Sequence, residues 1–230
     1  MEAIILAGGL GTRLREVIPD VPKPMAPVNG KPFLYYLFNW IRQYPVDKVV
    51  LSVGFKSESI VEYFGNTIFN IPLEYMVEEK PLGTGGAVKY ALQKTKGSNI
   101  LILNGDTYFP IDLNKFFSFH DKRNSLLTVA LKRMQNFDRY GAVECRRNTI
   151  LKFNEKKFCK NGLINGGIYL ANRQFIESRK LPGEFSLEKE ILEKEAGTSL
   201  LKGFVFNELF IDIGMPEDYN RAELVMKNRF

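Results

Sequence analysis

Unbroken apolar runs and stretches of helical period alternate along the first half of this chain. The first run is Ala3-Ile4-Ile5-Leu6-Ala7, and comparable segments lie at 48–53, 73–77 and 99–103. Such runs suit strands buried on both faces, as in a parallel sheet held between helices. From Pro32, a favoured first helical residue, Phe33, Leu34, Leu37, Trp40 and Ile41 recur at helical spacing, and the pattern stops before Pro45. Segments 57–64 and 83–95 predict two more helices. Strands alternating with helices imply right-handed crossovers and helices on both sheet faces.

Beyond residue 125 the pattern changes. Closely spaced strand candidates at 126–131, 141–145 and 149–154 suggest antiparallel pairing, so the sheet is expected to be mixed. Ser186 can cap a helix over 186–195, with Lys189 where a capping box would have Glu. A last helix is expected over 216–227. No repeat, linker or low-complexity tract interrupts the chain, so residues 1–230 read as one domain.

Composition narrows the partners. The chain has 230 residues, 45% of them hydrophobic, and 32 Lys and Arg against 26 Asp and Glu, a formal charge of +6. That excess favours anionic ligands. The cations are scattered in short pairs such as Arg146-Arg147, without the stripe that tracks a nucleic-acid backbone, so nucleic acid is not an expected partner. Cys145 and Cys159 form neither a Cys-x-x-Cys nor a zinc-like spacing and read as packing residues. No apolar stretch approaches the roughly 20 residues of a membrane span. The first apolar run lacks the basic leader of a signal peptide, so a cytoplasmic location is expected.

The chemistry concentrates at strand ends. Leu6-Ala7-Gly8-Gly9-Leu10-Gly11-Thr12-Arg13-Leu14 follows the first strand, and its missing side chains let backbone amides approach a phosphate or base. Arg13 can add a permanently cationic, bidentate contact. The segment is neither the dinucleotide fingerprint, since Leu14 stands where a third glycine would, nor a Walker loop, which needs Gly-Lys-Ser/Thr. Asp106 ends the 99–103 strand. Asp212 sits between Ile211 and Ile213, where a buried acid needs a partner or a metal. His120, the only histidine, falls on the polar part of a helix and is assigned no catalytic role.

The glycine-rich segment followed by Pro22-Lys23-Pro24-Met25 resembles the signature of the sugar-1-phosphate nucleotidyltransferases. The resemblance continues through Glu78-Glu79-Lys80-Pro81-Leu82-Gly83-Thr84-Gly85-Gly86, Asn104-Gly105-Asp106, Asn165-Gly166-Gly167 and the stretch from Ile211 to Tyr219. It implies a three-layer α/β/α Rossmann-like nucleotidyltransferase fold with a mixed, mainly parallel central sheet. The implied reaction joins a nucleoside monophosphate to a sugar 1-phosphate and releases pyrophosphate. By this resemblance Leu6, Ala7, Gly8, Gly9, Gly11, Thr12, Arg13 and Lys23 hold the triphosphate, with Glu78, Pro81 and Gly83 along the base and ribose. Asp106 and Asp212 would bind Mg²⁺, while Gly141, Glu155, Lys156 and Asn165, beside Tyr140, would hold the sugar phosphate. The sequence has Glu155-Lys156-Lys157 where the family often has Glu-Lys-Pro, which leaves open which lysine grips the phosphate.

Two anions must meet in such a reaction, so Arg13, Lys23, Lys156 and Mg²⁺ fit a need for positive charge, and an already ionised nucleophile needs no general base. The stretch from Gly11 through Asp20 to Leu34 is most similar to the D-glycero-D-manno-heptose 1-phosphate guanylyltransferases of bacterial surface-polysaccharide pathways, which implies GTP and a heptose phosphate. A hexose 1-phosphate transferase using GTP, CTP or dTTP is the alternative enzyme, and a non-catalytic nucleotide-sensing subunit is the alternative of another class. Assembly into homo-oligomers is left open.

Overall fold

The computed structural model describes residues 1–9, 14, 18 and 21–227. Strand β1 (Glu2–Ala7) leads to two short strands, β2 (Pro27–Val28) and β3 (Lys31–Pro32), then to α1 (Phe33–Ile41), β4 (Lys48–Val53), α2 (Ser57–Phe64), β5 (Thr67–Ile68) and β6 (Ile71–Val77). There follow α3 (Gly83–Ala91), β7 (Asn99–Asn104), β8 (Thr107–Tyr108) and α4 (Leu113–Lys122). The second half comprises β9 (Leu127–Phe137), β10 (Gly141–Arg146), β11 (Thr149–Lys156), β12 (Cys159–Asn172), α5 (Arg173–Glu177), α6 (Glu193–Glu195), β13 (Leu201–Phe206), β14 (Ile211–Asp212) and α7 (Pro216–Lys227). Among the described residues no helix is long and apolar enough to cross a membrane.

Ten of these strands form one sheet in the order β10-β11-β13-β9-β12-β7-β1-β4-β6-β5. Its parallel block is β7-β1-β4-β6, built from the unbroken apolar runs, and β13 also lies parallel to β9. The long strand β12 runs antiparallel to both β7 and β9, which makes the sheet mixed as the second-half pattern implies.

Side chains alternate across the parallel block, and the two faces feed two cores. Ala3, Ile5, Val49, Leu51, Leu101 and Leu103 pack with α1, α2, α4 and α7, whereas Ile4, Val50, Ile100 and Ile102 pack with α3, α5 and the segment around Ile191. This is the three-layer arrangement. Each fully buried Ile or Leu stabilises it by about 1.5–3 kcal/mol before chain entropy is counted. Inside one core, Tyr36 donates to Val28 O at 2.8 Å and Trp40 Nε1 to Ile111 O at 3.2 Å, fastening α1 to the loops on either side.

Two local expectations change. His120 is buried, with 1% exposure, rather than on the polar face of its helix. Its Nδ1 is 2.8 Å from Thr128 Oγ1, and Ser125 closes the triangle. Burial lowers its pKa from the ordinary histidine value, because a charged ring would be poorly solvated there. The helix expected over 186–195 starts with Ser186 Oγ accepting the Lys189 N–H at 3.2 Å, but continues as a π-helical run, Glu188–Leu192, before α6.

Candidate active site

Parallel strands β1 and β7 lie side by side with Leu6 opposite Asn104, so the turns leaving both strands open on the same sheet edge. The carboxyl ends of such strands are where open α/β sheets bind ligands. Gly105 donates its N–H to Leu6 O at 2.9 Å, and a Cβ on Gly105 would lie only 2.7 Å from that oxygen. Gly8 is equally confined: a Cβ there would sit 2.5 Å from Glu78 Oε1. Glu78 is itself held by the Ser52 hydroxyl at 2.9 Å and by the Leu82 N–H at 3.2 Å.

A cavity of about 280 Å³ lies over these turns. Leu6, Ala7, Gly8, Gly9, Lys23, Glu78, Pro81 and Gly83, the residues expected to hold a nucleotide, line this one cavity together. Gly11, Thr12 and Arg13 lie outside the described residues.

Its far wall is the start of α3. Gly83 has φ +69°, and a Cβ on it would be 2.5 Å from Phe185 O, the same oxygen that accepts the Gly85 and Gly86 N–H groups at 3.0 and 3.2 Å. Gly83→Ala is therefore expected to destabilise the protein by about 1–3 kcal/mol, combining left-handed strain with a backbone clash. The check is a urea denaturation series, in which the midpoint should fall at unchanged slope; an unmoved midpoint would show that the turn relaxes at no cost.

A second cavity of about 420 Å³ shares Lys23, Asn104 and Asp106 with the first. Gly141, Lys156 and Asn165 line it, joined by Tyr140, Tyr169 and Glu188. The β10–β11 register places Gly141 opposite Lys156. Of the two adjacent lysines, Lys156 lines the cavity and Lys157 does not. Glu155, expected beside Lys156, is exposed and is not among the lining residues, as alternation along β11 sends successive side chains to opposite faces. Besides Asp106 and Asp212, the acid lining the cavity is Glu188, which no motif in the sequence pointed to.

Where the cavities meet, two acids 106 positions apart converge. The short strands β8 and β14 pair antiparallel with Asp212 opposite Thr107, and the Ile213 N–H donates to Asp106 O at 3.0 Å. Lys23, on a single 3₁₀ turn flanked by prolines, reaches Asp106 Oδ2 with Nζ at 3.3 Å. Asp212 Oδ1 accepts the Gly214 N–H at 2.8 Å.

Burial and then the charge of Asp106 raise the Asp212 pKa, against the opposing pull of the Gly214 N–H, Lys23 and the Tyr140 hydroxyl. Tyr140 is pushed up in turn, first by burial and then by the Asp212 charge. One lysine thus faces two carboxylates that repel each other. Their hard oxygens suit a divalent cation that completes its shell with phosphate oxygens and water. Among the described residues no cluster of three or more acidic, histidine or cysteine side chains is placed to hold such an ion. Asn104 Oδ1, beside them, is a buried acceptor with no partner among the described residues.

The family model described as Nucleotidyl transferase matches residues 2–229. The chain is 48% identical over 223 residues, 97% of each chain, to the D-glycero-alpha-D-manno-heptose 1-phosphate guanylyltransferase of Aneurinibacillus thermoaerophilus. It is 45% identical over 220 residues to the enzyme of the same name from Campylobacter jejuni, covering 95% of this chain and 97% of the other. Among solved structures, HddC from Yersinia pseudotuberculosis complexed with GMP-PN superposes with a TM-score of 0.88 at 36% identity, over 98% of this chain and 99% of that one.

Proposed function

The chain belongs to the nucleotidyl transferase family, and from that premise we propose that it moves GMP from GTP onto D-glycero-α-D-manno-heptose 1-phosphate, releasing pyrophosphate. The observation that carries the reading is the wall shared by the two cavities, where Lys23, Asp106 and, on the sugar side, Asp212 gather. A nucleotide in one cavity and a sugar phosphate in the other would meet there. The two heptose 1-phosphate guanylyltransferases that match nearly the whole chain support the choice of substrates.

In this reading the sugar-phosphate oxygen attacks the α-phosphorus of GTP, a new P–O bond forms, and the bond to the β-phosphate oxygen breaks. Lys156 holds the phosphate of the nucleophile and orients it, and Asn165 and Gly141 bound the sugar. Lys23 lies against Asp106 and is placed to offset charge on the triphosphate and the departing pyrophosphate. Arg13 acts with it on the triphosphate. Glu78, on the nucleotide cavity, can accept from guanine's ring N–H and exocyclic amine while remaining anchored by Ser52 and Leu82. Transferases of this family typically use a divalent metal; Asp106 and Asp212 would hold Mg²⁺, which would supply charge neutralisation to the phosphates when bound. The work is electrostatic and positional, in the cytoplasm where nucleoside triphosphates are available.

Pyrophosphate release from each of the common nucleoside triphosphates, paired with a panel of heptose and hexose 1-phosphates in Mg²⁺, tests the reading. The highest kcat/KM is expected for GTP with the manno-heptose phosphate. A preferred hexose phosphate or another base would replace the substrates and keep the reaction; no release with any pair would remove the reaction itself.

A further inference from the structure

Glu188 lines the sugar-side cavity with Lys156, Asn165 and Tyr169. It opens the π-helical run Glu188–Leu192, a widened turn of the kind often found where a side chain is aimed into a functional site. Its carboxylate is held in place from two directions. The Thr84 hydroxyl donates to Oε2 at 2.6 Å and the Ser186 hydroxyl at 2.8 Å. Thr84 Oγ1 in turn accepts the Leu187 N–H at 2.9 Å, which directs its own proton at Glu188.

Beside it in the cavity, the buried Tyr169 hydroxyl accepts from Asn165 Nδ2 at 3.0 Å, while Asn165 Oδ1 takes the Gly167 N–H at 3.0 Å. Two donors therefore fix the carboxylate, both at Oε2, and a carboxylate offers about four acceptor sites. The remaining capacity faces a cavity whose expected occupant is rich in hydroxyl groups.

We propose that Glu188 is a specificity-determining residue of the acceptor site, accepting a hydrogen bond from one ring hydroxyl of the sugar 1-phosphate. A sugar lacking that hydroxyl would leave the fixed carboxylate short of a donor in a partly desolvated site, which is how a polar pocket rejects a deoxygenated analogue. The proposal rests on the transferase reading above.

The test compares the parental enzyme with Glu188→Gln and Glu188→Ala, using GTP, the sugar phosphate the parental enzyme turns over best, and monodeoxy analogues each lacking one ring hydroxyl. Both variants should raise the KM for the sugar phosphate about 10- to 100-fold, as for loss of a charge-assisted hydrogen bond. The KM for GTP should stay within about twofold, because the contact is made to the acceptor. One deoxy analogue should be a poor substrate for the parental enzyme yet be used by Glu188→Ala nearly as well as the full sugar phosphate. An unchanged sugar KM, two KM values rising together as a packing defect would give, or parental discrimination retained by Glu188→Ala would each overturn the proposal alone. A parental enzyme inactive with every sugar phosphate would overturn the transferase reading along with it.

Discussion

Asp106→Asn is expected to lower kcat by about 100- to 1,000-fold or more while leaving the fold intact, the scale seen when one positioned charge-stabilising group is removed from an active site. The side chain keeps its size and can still meet Lys23 through its carbonyl oxygen, but one of the two carboxylates proposed to share the cation is gone. Asp106 is part-exposed, at 32%, so the substitution opens no core cavity. Three readings on one preparation decide the matter. Single-turnover rates give the chemical step, far-UV circular dichroism gives the fold, and the thermal midpoint with and without Mg²⁺ gives the metal. The parental protein should gain stability on adding Mg²⁺ through binding to the native state, and the variant should gain little. Near-parental turnover in Asp106→Asn would end the ligand assignment.

Lys23→Ala should be comparably severe, with kcat/KM for GTP falling about 100- to 1,000-fold. Lys23 is 15% exposed and sits on a proline-flanked turn, so a neighbouring flexible lysine cannot readily take its place. Arginine should restore little, because a broad, planar guanidinium does not reproduce the compact ammonium that meets Asp106 Oδ2 at 3.3 Å. The variant also carries a pH signature. Lys23 lowers the pKa of Asp212, so its loss lets burial and Asp106 raise that carboxyl further. A carboxyl that protonates at higher pH loses its anionic form earlier on acidification. The acid limb of the kcat/KM profile should therefore move to higher pH in Lys23→Ala. A profile that falls uniformly, with no displacement of that limb, would separate Lys23 from Asp212, and activity within tenfold of parental would remove Lys23 from phosphate handling.

Much of this molecule is written locally. The apolar runs at β1, β4 and β7 can only be strands covered on both faces, because no face of them is polar, and the period of α1 follows from Phe33, Leu34, Leu37, Trp40 and Ile41. The ends of α2 and the last helix are equally legible. The glycine turn after β1, Lys23 between its prolines, and the two acids at strand ends were candidates before any coordinate, since their chemistry is carried by residue type and short spacing.

Other features depend on contacts between distant segments, and no local pattern encodes those. Asp106 and Asp212 become a pair only because β8 and β14 meet edge to edge with Asp212 opposite Thr107. Alternation along β11 points Lys156 into the second cavity, the one proposed for the sugar phosphate, and leaves Glu155 outside it, a parity set by register rather than by the Glu-Lys-Lys motif. His120 looks polar in its own helix and is buried because Ser125 and Thr128 fold back to satisfy one ring nitrogen. Glu188 reaches the cavity through a π-helical turn braced by Thr84 from 104 positions away. The sequence by itself determined the strands of the parallel block, the helices α1, α2 and α7 and the inventory of reactive groups, because these follow from side-chain chemistry and nearest neighbours. Which of those groups face one another was decided by the tertiary structure, because register, crossover and turn geometry are properties of the packed chain as a whole.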